Sequence, residues 1–134
     1  MSTVKVTEIQ SNSGTFDTAV NFQTNGGTQN GRLCKAWVDF NGYGTVAIRN
    51  DFNVNSVSDR GTGQFTVNYS NALASSTYCC HVTGSSYGDG GGKWSGPDYV
   101  SPQTGTATGS VAVRTWRYDG SAQDWKTTYV TCIT

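Results

Sequence analysis

The stretch that decides the fold class is Gln64-Phe65-Thr66-Val67-Asn68-Tyr69, in which polar and apolar residues alternate. Successive side chains of a strand point to opposite faces, so the pattern puts Phe65, Val67 and Tyr69 on one face. Such an alternation indicates a half-buried antiparallel strand. Residues 59–63, just before it, include two glycines and are typical of a hairpin connection.

Strand patterns recur on both sides of this hairpin. We predict strands at residues 4–9, 33–40, 45–49, 52–57, 77–83, 110–118 and 125–133, and a weaker one at 16–22. Residues 84–109 hold both prolines and many glycines, so they are predicted to be irregular. No segment predicts a helix longer than a turn or two. The expected fold is an all-β antiparallel sandwich, a jelly-roll-like knob with a short N-terminal strand segment.

The glycine-rich residues 25–31 are predicted to be a flexible linker because of their composition. They separate an N-terminal segment, residues 1–30, from a knob domain, residues 31–134. A segment of this length is too short to fold alone. We therefore expect it to serve in oligomerisation or in docking on another protein.

Charge and composition exclude several functional classes. Nine Lys and Arg balance nine Asp and Glu among 134 residues, and this zero net charge argues against nucleic-acid binding. The first residues lack the apolar run of a signal peptide, and no stretch reaches the roughly 18 apolar residues of a membrane span. We predict a protein made in a cytoplasm that does not insert into membranes.

The four cysteines, Cys34, Cys79, Cys80 and Cys132, show no CxxC spacing. The only histidine, His81, directly follows Cys80, and neighbouring side chains of a strand do not converge on one ion. We predict no metal site and no cofactor. Buried free thiols are the favoured interpretation, and a disulfide such as Cys34–Cys132 stays open.

Catalysis has little support in the sequence. Two pairs of carboxylates lie near each other along the chain, Asp89 with Asp98 and Asp119 with Asp124. A glycosidase needs such a pair in a defined geometry, but Asp residues in turns usually bind their own backbone. A nucleophilic triad would have only His81 available. We predict no catalytic residues and a non-enzymatic protein.

One stretch of aromatic and polar residues is a candidate binding site. Exposed aromatic rings stack on sugars and are common at protein interfaces. The alternative, equally open, is that Trp94 and Tyr99 fold back to cover the sandwich. The candidate contact residues are Tyr87, Asp89, Lys93, Trp94, Asp98 and Tyr99.

Two stretches, Cys34 to Arg49 and Phe52 to Tyr69, resemble a module of tail-fibre and related virion proteins of tailed phages, especially marine phages and cyanophages. The opening residues 2–10 are similar to the starts of short free-standing members. The resemblance covers about half of the chain and fades after Ser70. It transfers no catalytic motif, because the shared residues look like scaffold.

The resemblance implies a virion protein that forms homotrimers. It implies a tail fibre or fibre tip whose loops bind a host surface glycan or protein. Because residues 1–30 are too short to fold alone, we expect them to pair between subunits or to dock on another virion protein. A trimer would also cover strand edges that are a liability in a weakly charged β protein. A capsid decoration or tail-assembly protein without a receptor is the alternative. A carbohydrate-cleaving enzyme comes third, and a sandwich lectin of non-viral source stays open.

Overall fold

The computed structural model describes residues 20–24, 27–31, 34–85, 93–97, 106–117 and 119–133, with side chains for 34–85, 106–117 and 119–133. All regular elements among these residues are strands, which confirms the predicted all-β class. No helix among them is long and apolar enough to cross a membrane. The strands are β1 (Val20–Thr24), β2 (Gly27–Gly31), β3 (Cys34–Asn41), β4 (Ala47–Phe52), β5 (Val54–Gly61), β6 (Gln64–Tyr69), β7 (Cys79–Ser85), β8 (Lys93–Pro97), β9 (Thr106–Ala107), β10 (Ser110–Arg117) and β11 (Thr127–Ile133).

The chain divides after Arg32 into two compact units. In the first unit, β1 and β2 pair as an antiparallel hairpin in which Thr24 lies opposite Gly27. The prediction of a flexible linker over residues 25–31 is therefore wrong for Gly27–Gly31. The two residues between the strands, Asn25 and Gly26, are the dipeptide that two-residue hairpins favour. The strand predicted at residues 4–9 lies outside the described residues.

The second unit contains two antiparallel sheets. The first sheet has the order β4-β3-β11-β7, and the second has the order β5-β6-β10-β8, with β9 also pairing to β10. Side chains from one face of each sheet pack together, and the Phe40 and Phe65 rings meet edge to face with centroids 5.2 Å apart. The result is the sandwich-like arrangement that the alternating strands predict.

The core contains every second residue of the central strands, as expected for a pleat of period two. Phe65, Val67 and Tyr69 of β6 are all buried, which confirms their predicted common face. The buried core cluster is Ala36, Val38, Phe40, Val54, Phe65, Val67, Tyr69, Leu73, Val111, Val113, Val130 and Cys132.

Asn53 marks the corner where the chain passes from the first sheet to the second. Its φ of 57° lies in the left-handed region, which Asn tolerates better than most residues. Its side-chain amide donates to the carbonyls of Lys35, at 3.0 Å, and Asn71, at 3.1 Å. The sequence predicts the break near residues 50–51, and the structure moves it to Asn53, because these distant contacts fix the turn.

The segment predicted to be irregular, residues 84–109, contains the strands β8 and β9 and the last two residues of β7, so the prediction is wrong for all of these positions. Residues Lys93–Pro97 pair with β10. Pro97 ends this strand, and β8 is an edge strand of its sheet, where a proline is tolerated. Pairing with β10 supplies a strand that the local composition does not favour.

Candidate functional site

The outer face of the first sheet carries two of the three exposed large apolar side chains that the structure describes, Phe52 and Tyr129. Ala36, Val38 and Phe40 of β3 point into the core, so Trp37 and Asp39 point outward. The same alternation in β11 turns Tyr129 and Thr131 outward, between inward-facing Thr128, Val130 and Cys132. These outward residues lie on the two central strands of the sheet.

Strand register brings outward residues into two adjacent rows across all four strands. Side chains directly opposite each other on neighbouring antiparallel strands are about 5 Å apart at Cβ, so each row is continuous. The first row is Phe52, Trp37, Thr131 and His81, and the second is Asn50, Asp39, Tyr129 and Thr83. We call these eight residues, together with Arg49, the aromatic face.

Exposure distinguishes this face from an ordinary solvated sheet surface. Among the side chains that the structure describes, the exposed large apolar ones are Tyr43 at 56%, Phe52 at 53% and Tyr129 at 46%. Phe52 and Tyr129 belong to the aromatic face, and Tyr43 lies in the loop between β3 and β4. The solvated face of an antiparallel sheet is normally polar, so rings concentrated here point to a contact surface.

Charged groups hold the end of the aromatic face next to Tyr129. Arg49 Nη1 lies 2.8 Å from Asp39 Oδ1, and Arg49 Nη2 donates a hydrogen bond to the carbonyl of Lys126. The Lys126 ammonium lies 5.9 Å from the centre of the Tyr43 ring, within cation–π range. Arg49 thus ties β4 to β3 and to the residue before β11, and it fixes a donor and an acceptor beside the exposed rings.

The opposite end of the face carries His81 and Cys79 on the edge strand β7. The Cys79 sulfur lies 3.4 Å from His81 Nε2, and both side chains are exposed. No group of three or more His, Cys, Asp or Glu side chains within the described part of the chain is placed to hold a metal ion. The rings of this face can stack on a partner, and its hydroxyl, carboxylate and guanidinium groups can form hydrogen bonds.

Four of the predicted contact residues, Tyr87, Asp89, Asp98 and Tyr99, lie outside the described residues. The other two, Lys93 and Trp94, lie in strand β8 rather than in a loop. Their backbone positions are directly opposite Arg117 and Trp116 of β10. A role of these six residues in binding stays a prediction.

The carboxylates of Asp119 and Asp124 each hold a turn. Asp119 Oδ1 accepts hydrogen bonds from the hydroxyl and the amide of Ser121, at 2.6 and 2.9 Å, and these bonds lower the pKa of Asp119. Asp124 Oδ1 accepts a hydrogen bond of 2.6 Å from the amide of Gly63. Asp119 thus stabilises its own turn, as Asp residues in turns commonly do, whereas Asp124 binds the residue before β6, 61 positions away in the chain. The pair Asp89 and Asp98 lies outside the described residues.

The candidate residues chosen from sequence do not include Trp37, Phe52 or Tyr129. A signal for Trp37 was available, because it alternates with Ala36 and Val38 in a predicted strand and must share the face opposite to theirs. Phe52 and Tyr129 join it only through the pairing of β4 and β11 with β3. No local sequence pattern predicts that register.

Comparison of the chain with protein-family models, with curated proteins and with solved structures gives no match in any of the three.

Proposed function

We propose that the chain is a non-enzymatic structural protein of a phage virion, a tail-fibre or fibre-tip component that binds a receptor on the host surface. The observation that carries the proposal is the aromatic face, a set of exposed rings on a sheet whose other side is tightly packed. The resemblance of residues 34–69 to tail-fibre modules supports the same assignment. The protein would reside in the virion.

The aromatic face suits a host surface glycan. Aromatic rings bind the apolar faces of sugars, and they lose little conformational entropy on binding because few torsions become fixed. Asp39 and Arg49 stand beside Tyr129 and supply an acceptor and a donor for hydroxyl groups. Such a flat site binds weakly, and many copies on one particle would give firm attachment through avidity. A host surface protein is the other class of receptor for such a face.

Trimer formation is part of the proposal. The first sheet ends in the edge strands β4 and β7, and the second ends in β5 and β8. Uncovered edge strands invite non-specific pairing, and association of subunits is one way of covering them. The jelly-roll form of the sandwich and the docking of residues 1–30 on another virion protein stay predictions.

The test measures adsorption of phage particles that carry the double variant Phe52→Ala/Tyr129→Ala. We expect adsorption to fall at least roughly tenfold, the loss of about 1.4 kcal/mol of binding free energy, with unchanged particle yield. A matched control is Asn55→Ala/Ser58→Ala, which removes exposed side chains of β5 on the other sheet. This control should adsorb like the wild type.

A second double variant, Trp94→Ala/Tyr99→Ala, tests whether the contact residues predicted from the sequence bind the receptor instead of the aromatic face. Loss of adsorption in this variant alone would move the receptor site to those residues. Normal adsorption in both variants would contradict receptor binding at either place. Gold-labelled antibody on purified virions then locates the protein in the particle. Label at the tail fibres would support the proposal, and label spread over the head would favour a decoration protein.

A further inference from the structure

The four cysteines are free and occupy three different environments. Cys132 is buried, Cys34 and Cys80 are partly exposed, and Cys79 is exposed. The expectation of buried thiols therefore holds for Cys132 and is wrong for Cys79. Cys132 of β11 lies directly opposite Cys80 of β7. Their sulfur atoms are 3.4 Å apart, on the inner face of the sheet.

This placement is compatible with a disulfide. Directly opposite residues on antiparallel strands have Cα atoms about 4.5–5.5 Å apart, within the range that disulfides span. The sulfurs would have to approach from 3.4 Å to the bonding distance of about 2.05 Å. The Cys34 thiol instead donates to the carbonyl of Ala36 at 3.3 Å, and the Cys79 sulfur faces His81.

Two tyrosines complete the surroundings of the Cys80–Cys132 pair. The Tyr69 hydroxyl lies 3.2 Å from the Cys132 sulfur and 2.9 Å from the Tyr78 hydroxyl. Tyr78 in turn donates to the carbonyls of Ala107 and Ser110, at 3.1 and 3.0 Å. The pair is therefore the end of a chain of hydrogen bonds that joins the two sheets.

Hydrogen bonds give the two thiols different acidities. The hydrogen bond between the Cys80 and Cys132 sulfurs lowers the pKa of Cys132, against the effect of burial, and the Tyr69 hydroxyl adds to this lowering. The same bond, together with burial, raises the pKa of Cys80. Cys132 is thus the sulfur that carries the negative charge more readily, and a thiolate is the form that attacks an oxidised sulfur.

We propose that Cys80 and Cys132 form a reversible intramolecular disulfide when the protein meets a peroxide. Peroxide is attacked by the thiolate of one of the two cysteines, which becomes a sulfenic acid, and one water is released. The other sulfur then attacks the oxidised sulfur, the S–O bond breaks, and the hydroxyl leaves with the proton of the second thiol as a second water. Two thiols and one peroxide thus yield one disulfide and two waters. This inference does not depend on the proposed function.

The bond would fasten an edge strand covalently to the centre of the sandwich. β7 is the last strand of the first sheet and pairs with β11 alone among the described strands. The link joins residues 52 positions apart in the chain, and closing a long loop restricts the unfolded state strongly. We expect the oxidised protein to melt roughly 10 °C above the reduced protein.

The test treats the reduced full-length protein with hydrogen peroxide and maps the products by mass spectrometry without reduction. We expect loss of two hydrogen atoms, a cross-link between the peptides containing Cys80 and Cys132, and reversal by dithiothreitol. Because Cys79 adjoins Cys80, the exposed-site variant Cys79→Ser assigns the link, and it should cross-link like the wild type. Cys34→Ser should also retain the link, and Cys80→Ser should lose it.

Three results would overturn the proposal. One is a main product that links Cys34 or Cys79. Another is irreversible oxidation of Cys80 while Cys132 remains a free thiol. The third is an unchanged melting temperature in protein whose Cys80–Cys132 link has been verified. In that case the disulfide would not stabilise the attachment of β7 to β11. The first two readouts need no variant to fold.

Discussion

The two faces of the first sheet are formed by the same strands, but their residues are largely buried on the inner face and at least partly exposed on the outer face. On the inner face, Ala36, Val38 and Phe40 are almost completely buried against the second sheet. On the outer face, Trp37 and Asp39 alternate with them and lie opposite Phe52 and Asn50 of β4. Inner residues are chosen by packing, whereas the outer rings add apolar exposure that folding does not require. The difference teaches that the outer residues are the ones available for a partner.

The largest expected difference between the two faces is in the free energy of unfolding lost when a phenylalanine of each face is replaced by alanine. Phe40 is fully buried and contacts Phe65, whereas Phe52 is 53% exposed. We expect Phe40→Ala to lower the free energy of unfolding by about 4 kcal/mol and Phe52→Ala to lower it by less than about 1 kcal/mol. Urea unfolding of both variants measures the difference. Equal losses would mean that the outer face is part of the folding core.

A smaller effect on stability is expected from the titration of two tyrosine hydroxyls, Tyr69 and Tyr78, at high pH. Burial raises the pKa of Tyr78 to about 12 and also raises the pKa of Tyr69. Because the folded state favours the protonated phenols, their stabilising contribution is complete below pH 10 and is lost as the pH rises towards 12. We expect the urea midpoint to fall across that window.

The Tyr78→Phe variant is the matched control for this pH dependence. It keeps the ring and removes the group that titrates, so its midpoint should fall less steeply between pH 10 and 12 than that of the wild type. Absorbance of tyrosinate follows the titration directly. A steeper fall in Tyr78→Phe would contradict the assignment of the loss to this hydroxyl.

The smallest effect is expected at the ion pair on the outer face. Asp39→Asn removes the charge that faces Arg49 at 2.8 Å. Exposed ion pairs contribute little and are screened by salt, so we expect a loss below about 1 kcal/mol that shrinks further in high salt. Thermal unfolding at low and high ionic strength measures it. A large loss that persists in salt would show that this face is structurally essential.

Local patterns allowed prediction of the strands whose alternation is regular. β6 has its predicted bounds, because apolar and polar positions alternate without interruption there, and β3 lies within one residue of its predicted bounds. β8 and β2 were not predicted, since glycine-rich composition hides a strand that only its partner stabilises. The break at Asn53 depends on Lys35 and Asn71, each 18 positions away.

The candidate site was less accessible to sequence analysis than the fold. The sequence predicts the exposed aromatic residues in the segment richest in glycine and proline, between residues 84 and 109. The described exposed rings instead lie on strands and on the loop after β3, where they occupy the positions that a core does not need. Phe52 and Tyr129 are far apart in the chain, and nothing local indicates that both strands border β3.

The sequence by itself determined that this protein is all-β and that its central strands have one apolar face. That information is local, because a side-chain period of two is set by the geometry of each strand. Only the tertiary structure decided which strands are neighbours, and with them the aromatic face and the Cys80–Cys132 pair. Pairing is decided by how the two sheets bury their apolar faces together, and that packing depends on the whole chain at once.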